Sequence, residues 1–525
     1  MSTSVLRSAD AWWVPTPAGA TRIATEAQTT AELLADRAAI AAAGASGETV
    51  PLESLALVSP VTAPCRVVAQ ATNFASHVKD VGMNPEQIPL TFFRKASGSI
   101  AGPYDDVIRP AHVRLLDYEV EIGLVIGREM PVGTMITGLA DALNRSRTVT
   151  LFCGAGVAGA HDKVMALAAR VHSPIGHTLR GKEWIQYDNP YDVGMSGLLG
   201  YGACYEACHE ADLLLMLGTD FPYEVFLPQS HTIQVDRDAT RLGRRTSLEL
   251  AVHGDVGATL RAVLPLVEQK SERAFLDRML RHHANKLEHV VNAYTQEAED
   301  HVPIHPEHAA RVLDELAADD AIFTVDTGMC NVWAARYLTP NGRRRVIGSF
   351  SHGTMANALP QAIGAQLDNP HRQVISMSGD GGLGMLLGEL LTVALHRLPI
   401  KIVVFNNSSL GMVKLEMLVD GLPDYETDHT PVDYSAIARA AGIHSVCVDK
   451  PADLRSALGD GLHHPGPALI ELVTDPNVLE MPPHLTTEQV RGFALASAKV
   501  VLAGGVGRML DLARANLRYG TAALQ

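Results

Sequence analysis

Residues 376–411 read SMSGDGGLGMLLGELLTVALHRLPIKIVVFNNSSLG. The run that leads in, QVISMS (373–378), is short, apolar and rich in β-formers, the pattern of a buried strand. The glycines behind it suit a sharp turn with close backbone approach. Leu383 to Leu398 has helical composition and no internal proline, and Pro399 marks its stop. IKIVVF (400–405) is a second strand, followed by Asn406-Asn407. A strand, a helix and a strand of this length form a right-handed βαβ unit with parallel strands. Asp380 and Asn407 then both stand at carboxyl ends of strands, the edge where open α/β sheets bind ligands. A carboxylate and an amide oxygen are hard donors suited to Mg²⁺ shared with a phosphorylated ligand. Taken alone, Gly-Asp-Gly is an ordinary turn; the paired asparagines after the next strand give it chemical meaning.

The rest of the chain sets limits. Its 525 residues suggest two to four domains, and a hydrophobic content of 47% fills complete cores. A net charge of −15 argues against nucleic acid as a partner. Arg343-Arg344-Arg345 reads as a solvated loop. The six cysteines show neither C-x-x-C nor zinc spacing, so reduced thiols and a cytoplasmic setting are expected. No signal pattern opens the chain, and no uncharged run approaches the length that spans a bilayer.

TTAELLADRAAIAAAG (29–44) is a candidate helix, and from Cys65 to about Gly133 the character is β-rich. At GREMPVGT (127–134) the pattern changes to alternating strands and helices and keeps that character. TVTLFCGAGVAGAHDKVMALAARV (148–171) reads as strand, glycine loop and helix, with Gly154, Gly156 and Gly159 spelling G-x-G-x-x-G. No acidic residue follows at the place a dinucleotide site requires, which weakens an NAD reading. The fold class expected is α/β: two doubly wound parallel-sheet domains after a truncated β-rich N-terminal segment. The boundaries expected are 1–133, 134–300, 301–480 and a helical tail, 481–525.

The stretch 376–411 resembles the thiamine-diphosphate fingerprint, which opens with Gly-Asp-Gly and closes with Asn-Asn. FTVDTGMCNVWAARYL (323–338), GSFSHGTMANALPQAIGAQ (348–366) and GKEWIQYDNPYDVGMSGLLG (181–200) are similar to quinone-dependent pyruvate dehydrogenase, the pyruvate oxidase family. The resemblance covers about 134–518. It implies Mg²⁺ on Asp380, Asn407 and the Ser409 carbonyl. It places thiamine diphosphate against Gly353, Thr354, Met355, Gly381, Gly382, Ser408, Leu410, Gly411 and Met412, with Met355 as the wedge that bends the cofactor. In the middle domain it implies FAD on Ser196, Gly197, Leu198, Leu199, Thr219, Asp220, Phe221, Pro222, Tyr223 and Asp236. Bare closure of a Rossmann-like sheet is the alternative for those positions, and core packing is the alternative for Met355. The activity implied is oxidative decarboxylation of pyruvate or a similar 2-oxo acid, with electrons passed to quinone or another acceptor. The tail VGRMLDLARANLRYG (506–520) corresponds to the family's route to a peripheral membrane contact at the inner face; a packed terminal helix is the alternative.

The family has a further domain, whose glutamate activates the pyrimidine ring of the cofactor. Nothing in residues 1–133 resembles it, and neither Glu26 nor Glu32 is assigned that role, so no catalytic residue for the thiamine chemistry is named. Residues 64–133 instead resemble the fumarylacetoacetate hydrolases, through AQATNFASHVKD (69–80), TFFRKASGSIAGPYDDVIRP (91–110) and LLDYEVEIGLVIGRE (115–129). Asp117, Glu119 and Glu121 alternate along a strand and share one face. The resemblance makes Glu119 and Glu121 ligands of a divalent cation, His77 and Asp80 an acid–base pair, and Lys95 a substrate-side lysine. The third metal ligand of that family has no counterpart before the other family begins. A gene fusion explains two incomplete halves. Three functions follow as expectations: a thiamine- and flavin-dependent decarboxylase impaired in isolation, a cofactor-binding subunit completed by a full-length relative that supplies the missing domain, or a metal-dependent hydrolase or decarboxylase in the N-terminal segment; a homo-oligomer or a full-length relative is the partner expected.

Overall fold

The computed structural model describes residues 5–16, 19–43, 49–59, 62, 67–71, 91–95, 133–229, 231–293, 295, 301–478, 487–502 and 505–516. It divides into two units, Met1–Arg128 and Glu129–Gln525.

In the first unit, β1 (Leu6–Ser8), β2 (Trp12–Thr16), β3 (Gly19–Arg22), β4 (Thr49–Val50) and β5 (Leu57–Val58) form an antiparallel sheet in the order β4-β3-β2-β1-β5. Trp12, Val14, Ile23, Leu33 and Ala43 make its small core. The helix expected over 29–44 is two helices, Thr30–Ala35 and Arg37–Ala43. Asp36 is the reason: its carboxylate accepts hydrogen bonds from Thr25 Oγ1 (2.9 Å) and from the Ala39 N–H (3.2 Å), so it ends one helix and caps the next. A separate antiparallel pair, β6 (Val67–Ala71) with β7 (Thr91–Lys95), lies in the β-rich stretch.

The second unit holds two parallel sheets. The first contains β8 (Val149–Cys153), β9 (Ile175–His177), β10 (Asp192–Met195), β11 (Tyr201–Gly202), β12 (Leu213–Leu217), β13 (Thr232–Asp236) and β14 (Leu248–His253). Their order is β11-β10-β9-β8-β12-β13-β14, parallel throughout except for β10–β11. The second contains β15 (Ile322–Val325), β16 (Arg345–Gly348), β17 (Val374–Gly379), β18 (Lys401–Asn406), β19 (His444–Val448) and β20 (Ala468–Val473), all parallel, in the order β16-β15-β17-β18-β20-β19. The period of two sorts β18 between two cores. Val403 and Phe405 face the cluster around Phe323, Trp333 and Leu472, while Ile402 and Val404 face Leu359, Leu390 and Leu469. Helices on both faces make each sheet doubly wound, as the fold class required.

The order reverses between β15 and β17, which makes their carboxyl ends a topological switch point. The helix expected over 383–398 begins earlier, at Asp380, and is broken into Asp380–Met385 and Glu389–His396. Glycines at 384 and 388 weaken the run, Leu386 leaves the helical conformation (φ −126°, ψ 41°), and Gly388 starts the second helix. The early start puts Asp380 in the first turn of the helix. The solvated loop expected at 343–345 is a second correction. Arg344 is partly buried against Asp314 (2.7 Å), and Arg345 lies on β16 and pairs with Glu183 (2.9 Å).

Candidate cofactor site at the switch point

Asp380 follows β17 directly and is 2% exposed. The N–H groups of Gly381 and Ser408 face its carboxylate, and His429 Nε2 lies 3.6 Å from Oδ2. Oδ2 accepts no hydrogen bond among the described residues. Burial pushes this carboxyl up, against the pull of His429. A buried carboxylate oxygen without a donor is expensive, and a hard cation would supply what it lacks.

The second half of the site is the loop after β18. Asn406 Oδ1 accepts the Ser408 N–H (3.1 Å), and Asn407 Oδ1 accepts the Ser409 N–H (3.0 Å). These turns hold Ser408 at φ +50°, a conformation costly for most residues with a Cβ. Residues 408–410 then pair with 427–429: Leu410 N–H donates to Thr427 O (2.7 Å) and His429 N–H to Ser408 O (3.0 Å). That pairing carries His429 to Asp380 and uses the carbonyls on either side of it, those of Ser408 and Thr427, rather than the Ser409 carbonyl. The expected donor set, Asp380, Asn407 and Ser409, thus lies after two adjacent strands. It is one carboxylate with amide and carbonyl oxygens, which suits Mg²⁺ and not a softer metal. Among the described residues no group of three His, Cys, Asp or Glu side chains stands ready for a metal.

Met355, Leu410 and His429 converge on Gly381. A Cβ added there would lie 2.7 Å from Leu410 Cδ2, 3.7 Å from His429 Nε2 and 3.8 Å from Met355 Cε. The loop carrying Gly353 and Thr354 therefore reaches the fingerprint through Met355. Gly353 at φ +63° and Ala356 at φ +64° shape it. Gly411 begins the next helix, where a Cβ would meet Met329 Cγ at 3.0 Å, and Met412 packs on the neighbouring core.

Four residues of this region carried no expectation. Asp326, at the end of β15, is 1% exposed. Its Oδ1 accepts the Thr327 N–H (3.0 Å), the Asn357 N–H (3.2 Å) and Asn357 Nδ2 (3.0 Å), and its Oδ2 has no donor among the described residues. Burial pushes its carboxyl up to about 6. An acid at a strand end was the available signal, the same one that marks Asp380. His429, Tyr434 and Glu471 lie beyond the fingerprint, and no local pattern singles them out.

In the middle domain the loops after β10 and β12 meet. A Cβ on Gly197 (φ +109°) would stand 3.0 Å from Phe221 Cζ and 3.3 Å from Tyr223 Cδ2. Leu198 and Tyr223 are exposed, while Ser196, Thr219 and Phe221 are buried and Leu199 packs on the adjoining core. Gln234 Nε2 donates to Thr219 O (2.9 Å), and Pro222 follows in the same loop. Asp220 pairs with Arg244 (2.8 Å) and faces Asp236, whose carboxyl burial pushes up. Of the glycines of 154–159, Gly154 and Gly156 serve packing, while Gly159 takes a left-handed turn (φ +72°) with open space around it. A Cβ on Gly154 or on Gly156 would strike the Gly218 backbone at 2.5 Å, so these two glycines let the turn after β8 approach the turn after β12.

His77, Asp80, Asp117, Glu119 and Glu121 lie outside the described residues. Lys95 ends β7. In the tail, Leu512 and Met509 of helix Val506–Ala515 share a small core with Ala496 of helix Thr487–Leu502 and with Leu415 and Leu418, so the tail helices pack together beside the helix that starts at Gly411. Among the described residues no helix is long and apolar enough to cross a membrane.

Three family matches align with this architecture. Residues 326–472 match the C-terminal TPP binding domain of thiamine pyrophosphate enzymes, residues 136–263 match the central domain of those enzymes, and residues 66–144 match the C-terminal fumarylacetoacetate hydrolase family. The putative thiamine pyrophosphate-containing protein YdaP of Bacillus subtilis is 34% identical over 370 residues, 70% of this chain and 64% of that protein. An uncharacterized 42.6 kDa protein of Pseudomonas amyloderamosa is 42% identical over 222 residues, 41% of this chain and 56% of that protein. The acetolactate synthase isozyme 1 large subunit of Escherichia coli is 28% identical over 409 residues, 74% of this chain and 70% of that protein. The chain therefore spans less than two thirds of the length of the first two relatives. Over residues 136–263 and 326–472 the chain is thus similar to the central and C-terminal domains of thiamine pyrophosphate enzymes, and ahead of them it carries a fumarylacetoacetate hydrolase-like segment.

Proposed function

We propose that the chain binds thiamine diphosphate through Mg²⁺ held by Asp380, the Asn407 side chain and the Ser409 carbonyl, and takes part in decarboxylation of pyruvate or a similar 2-oxo acid. The observation that carries this reading is the buried Asp380 carboxylate, with one oxygen lacking a donor beside the turn of Asn407 and Ser409. When bound, thiamine diphosphate supplies the electron sink for such a decarboxylation. The chain's own residues bind and orient. Asp380 and the 407–409 loop hold the charged end, Met355 supports the body, and Asp326 fixes the loop that carries Met355 through Asn357. Calorimetric titration of the purified chain with thiamine diphosphate, in Mg²⁺ and in chelator, tests it. Saturable binding that requires Mg²⁺ is expected, and no binding in either condition contradicts the reading.

The contact between loops 196–199 and 219–223 favours an extension of the same reading, in which FAD takes electrons onward to quinone or another acceptor. Flavin retained through purification, or taken up from added FAD, supports that extension; an apoprotein that binds no flavin removes it.

The 66–144 match favours a second reading, because it lies directly ahead of the central domain and overlaps its start. In that reading the chain is a cofactor-binding subunit that acts beside a partner carrying the pyrimidine-activating glutamate. Turnover that appears only on mixing with a full-length relative supports it, and unassisted turnover of pyruvate contradicts it. The same match keeps the metal-dependent hydrolase reading of Glu119 and Glu121 testable. Tight Mn²⁺ binding by the full chain that is lost in Glu119→Gln supports it.

A further inference from the structure

Glu471 stands in the middle of β20 and is 1% exposed. A carboxylate at the centre of a parallel sheet is costly, and Val or Ile would pack better. Both of its oxygens are engaged by neutral donors. Oε1 accepts Asn406 Nδ2 at 2.7 Å, and Oε2 accepts the Ser435 N–H at 2.8 Å. Each donor leads to one half of the candidate metal site. Asn406, with its amide turned by Glu471, presents Oδ1 to the Ser408 N–H at 3.1 Å and so sets the left-handed turn that precedes Ser409. Ser435 sits beside Tyr434, whose hydroxyl donates to the backbone carbonyl of Asp380 at 2.8 Å in a buried position. Tyr434 and Ser435 open one helix, Tyr434–Ala440, capped by Asp433 through the Ala436 N–H (2.7 Å). The two strand ends that carry Asp380 and Asn407 are therefore joined by a buried path: Asp380 carbonyl, Tyr434, Ser435, Glu471, Asn406, Ser408.

We infer that Glu471 and Tyr434 are positioning residues that fix the placement of the metal ligands Asp380 and Asn407, and so set the Mg²⁺ affinity of the site. This rests on the metal-site reading above. Neither residue is placed to touch the cation. Glu471→Gln keeps the shape but offers one acceptor where two donors converge, so either Asn406 or Ser435 loses its partner. Tyr434→Phe removes a single hydroxyl. Partners of metal ligands at this remove typically alter metal affinity by about 10–100-fold.

The test is the Mg²⁺ concentration at half-maximal thiamine diphosphate binding, measured for the full chain and both variants, together with residual binding in chelator. Expected for Glu471→Gln is a rise of about 10-fold or more in that concentration, with metal-free binding unchanged. Tyr434→Phe is expected to shift it in the same direction by less. A general loss of structure would instead lower binding with and without metal alike, and that pattern overturns the inference. If Glu471→Gln does not fold, Tyr434→Phe decides: a raised Mg²⁺ requirement supports the inference, and a value equal to the parent overturns it. A parent that binds while both folded variants match it overturns the inference alone. A parent without Mg²⁺-dependent binding overturns the underlying reading and the inference together.

Discussion

Gly382 rests against the carboxylate of Asp326 so closely that a Cβ on the glycine would stand 1.9 Å from Oδ2. The contact joins the ends of β15 and β17 across the switch point. Asp326 cannot swing aside cheaply, because three N–H groups hold its other oxygen. Gly382→Ala is therefore expected to cost about 1–3 kcal/mol, as overpacking does. Gly364 is the control. It sits inside helix Ala358–Asp368 with nothing within 4 Å of an added Cβ. Gly364→Ala should stabilise by about 0.5–1 kcal/mol through helix propensity alone. Thermal unfolding of the two variants checks both signs, and a neutral Gly382→Ala would remove the contact's significance.

Asp326 also gives the chain a pH signature. Burial raises its carboxyl from 3.8 to about 6, so the folded protein binds this proton more tightly than the unfolded chain. Its contribution to stability is complete below the unfolded value and is lost as pH rises through about 6. A rise of this size corresponds to at most ~3 kcal/mol. Asp326→Asn keeps an acceptor for the three N–H groups and removes the titration. Melting temperatures from pH 4 to 7, without added metal or cofactor, should show the parent losing stability relative to the variant over that window. Parallel curves would contradict the assignment.

The three consecutive arginines divide sharply. Arg344 donates to Asp314 Oδ1 (2.7 Å) and to the carbonyls of Ala317 (2.7 Å) and Ala318 (3.1 Å), closing the end of helix Pro306–Leu316 in a partly buried setting. Arg344→Met should cost about 1–3 kcal/mol, because it leaves helix carbonyls without their donor and Asp314 with the Thr339 N–H alone of the two. Arg343 pairs with Asp319 while both stay exposed, and Arg343→Ala should cost less than about 1 kcal/mol. Denaturant midpoints of the two variants measure the contrast, and equal shifts would refute it.

The sequence was most informative where one local pattern carries the physics. The strand runs at 373–378 and 400–405, the glycine turn and the two asparagines place the βαβ unit and the Asp380–Asn407 pair without reference to anything distant. Two local features misled. A run rich in leucine masks the break at Leu386, which depends on Gly384 and Gly388, and the charge of 343–345 hides the carbonyls that Arg344 closes. The G-x-G-x-x-G at 154–159, whose dinucleotide reading is weak without the acidic residue, owes Gly154 and Gly156 to the close approach of Gly218, which the sequence does not announce. Asp326 offered a signal, an acid at a strand end, but its partner Asn357 is 31 residues on; His429 and Glu471 offered none, and their partners Asp380 and Asn406 are about 49 and 65 residues away. Only the strand order brings them together.

The most direct measurement is the titration of Asp380→Ala with thiamine diphosphate, in Mg²⁺ and in chelator, beside the parent chain. A cation that bridges the diphosphate to Asp380 loses its only carboxylate in this variant. The expected result is loss of the Mg²⁺-dependent part of the affinity, about one to two decades, with metal-free binding at the parent's level. Met355→Ala, run alongside, should keep its Mg²⁺ dependence, since that side chain approaches Gly381 and not the metal donors. If Asp380→Ala binds thiamine diphosphate in Mg²⁺ as tightly as the parent does, the Gly-Asp-Gly and Asn-Asn segments are no more than turns between strands, and the cofactor site is not where it is placed.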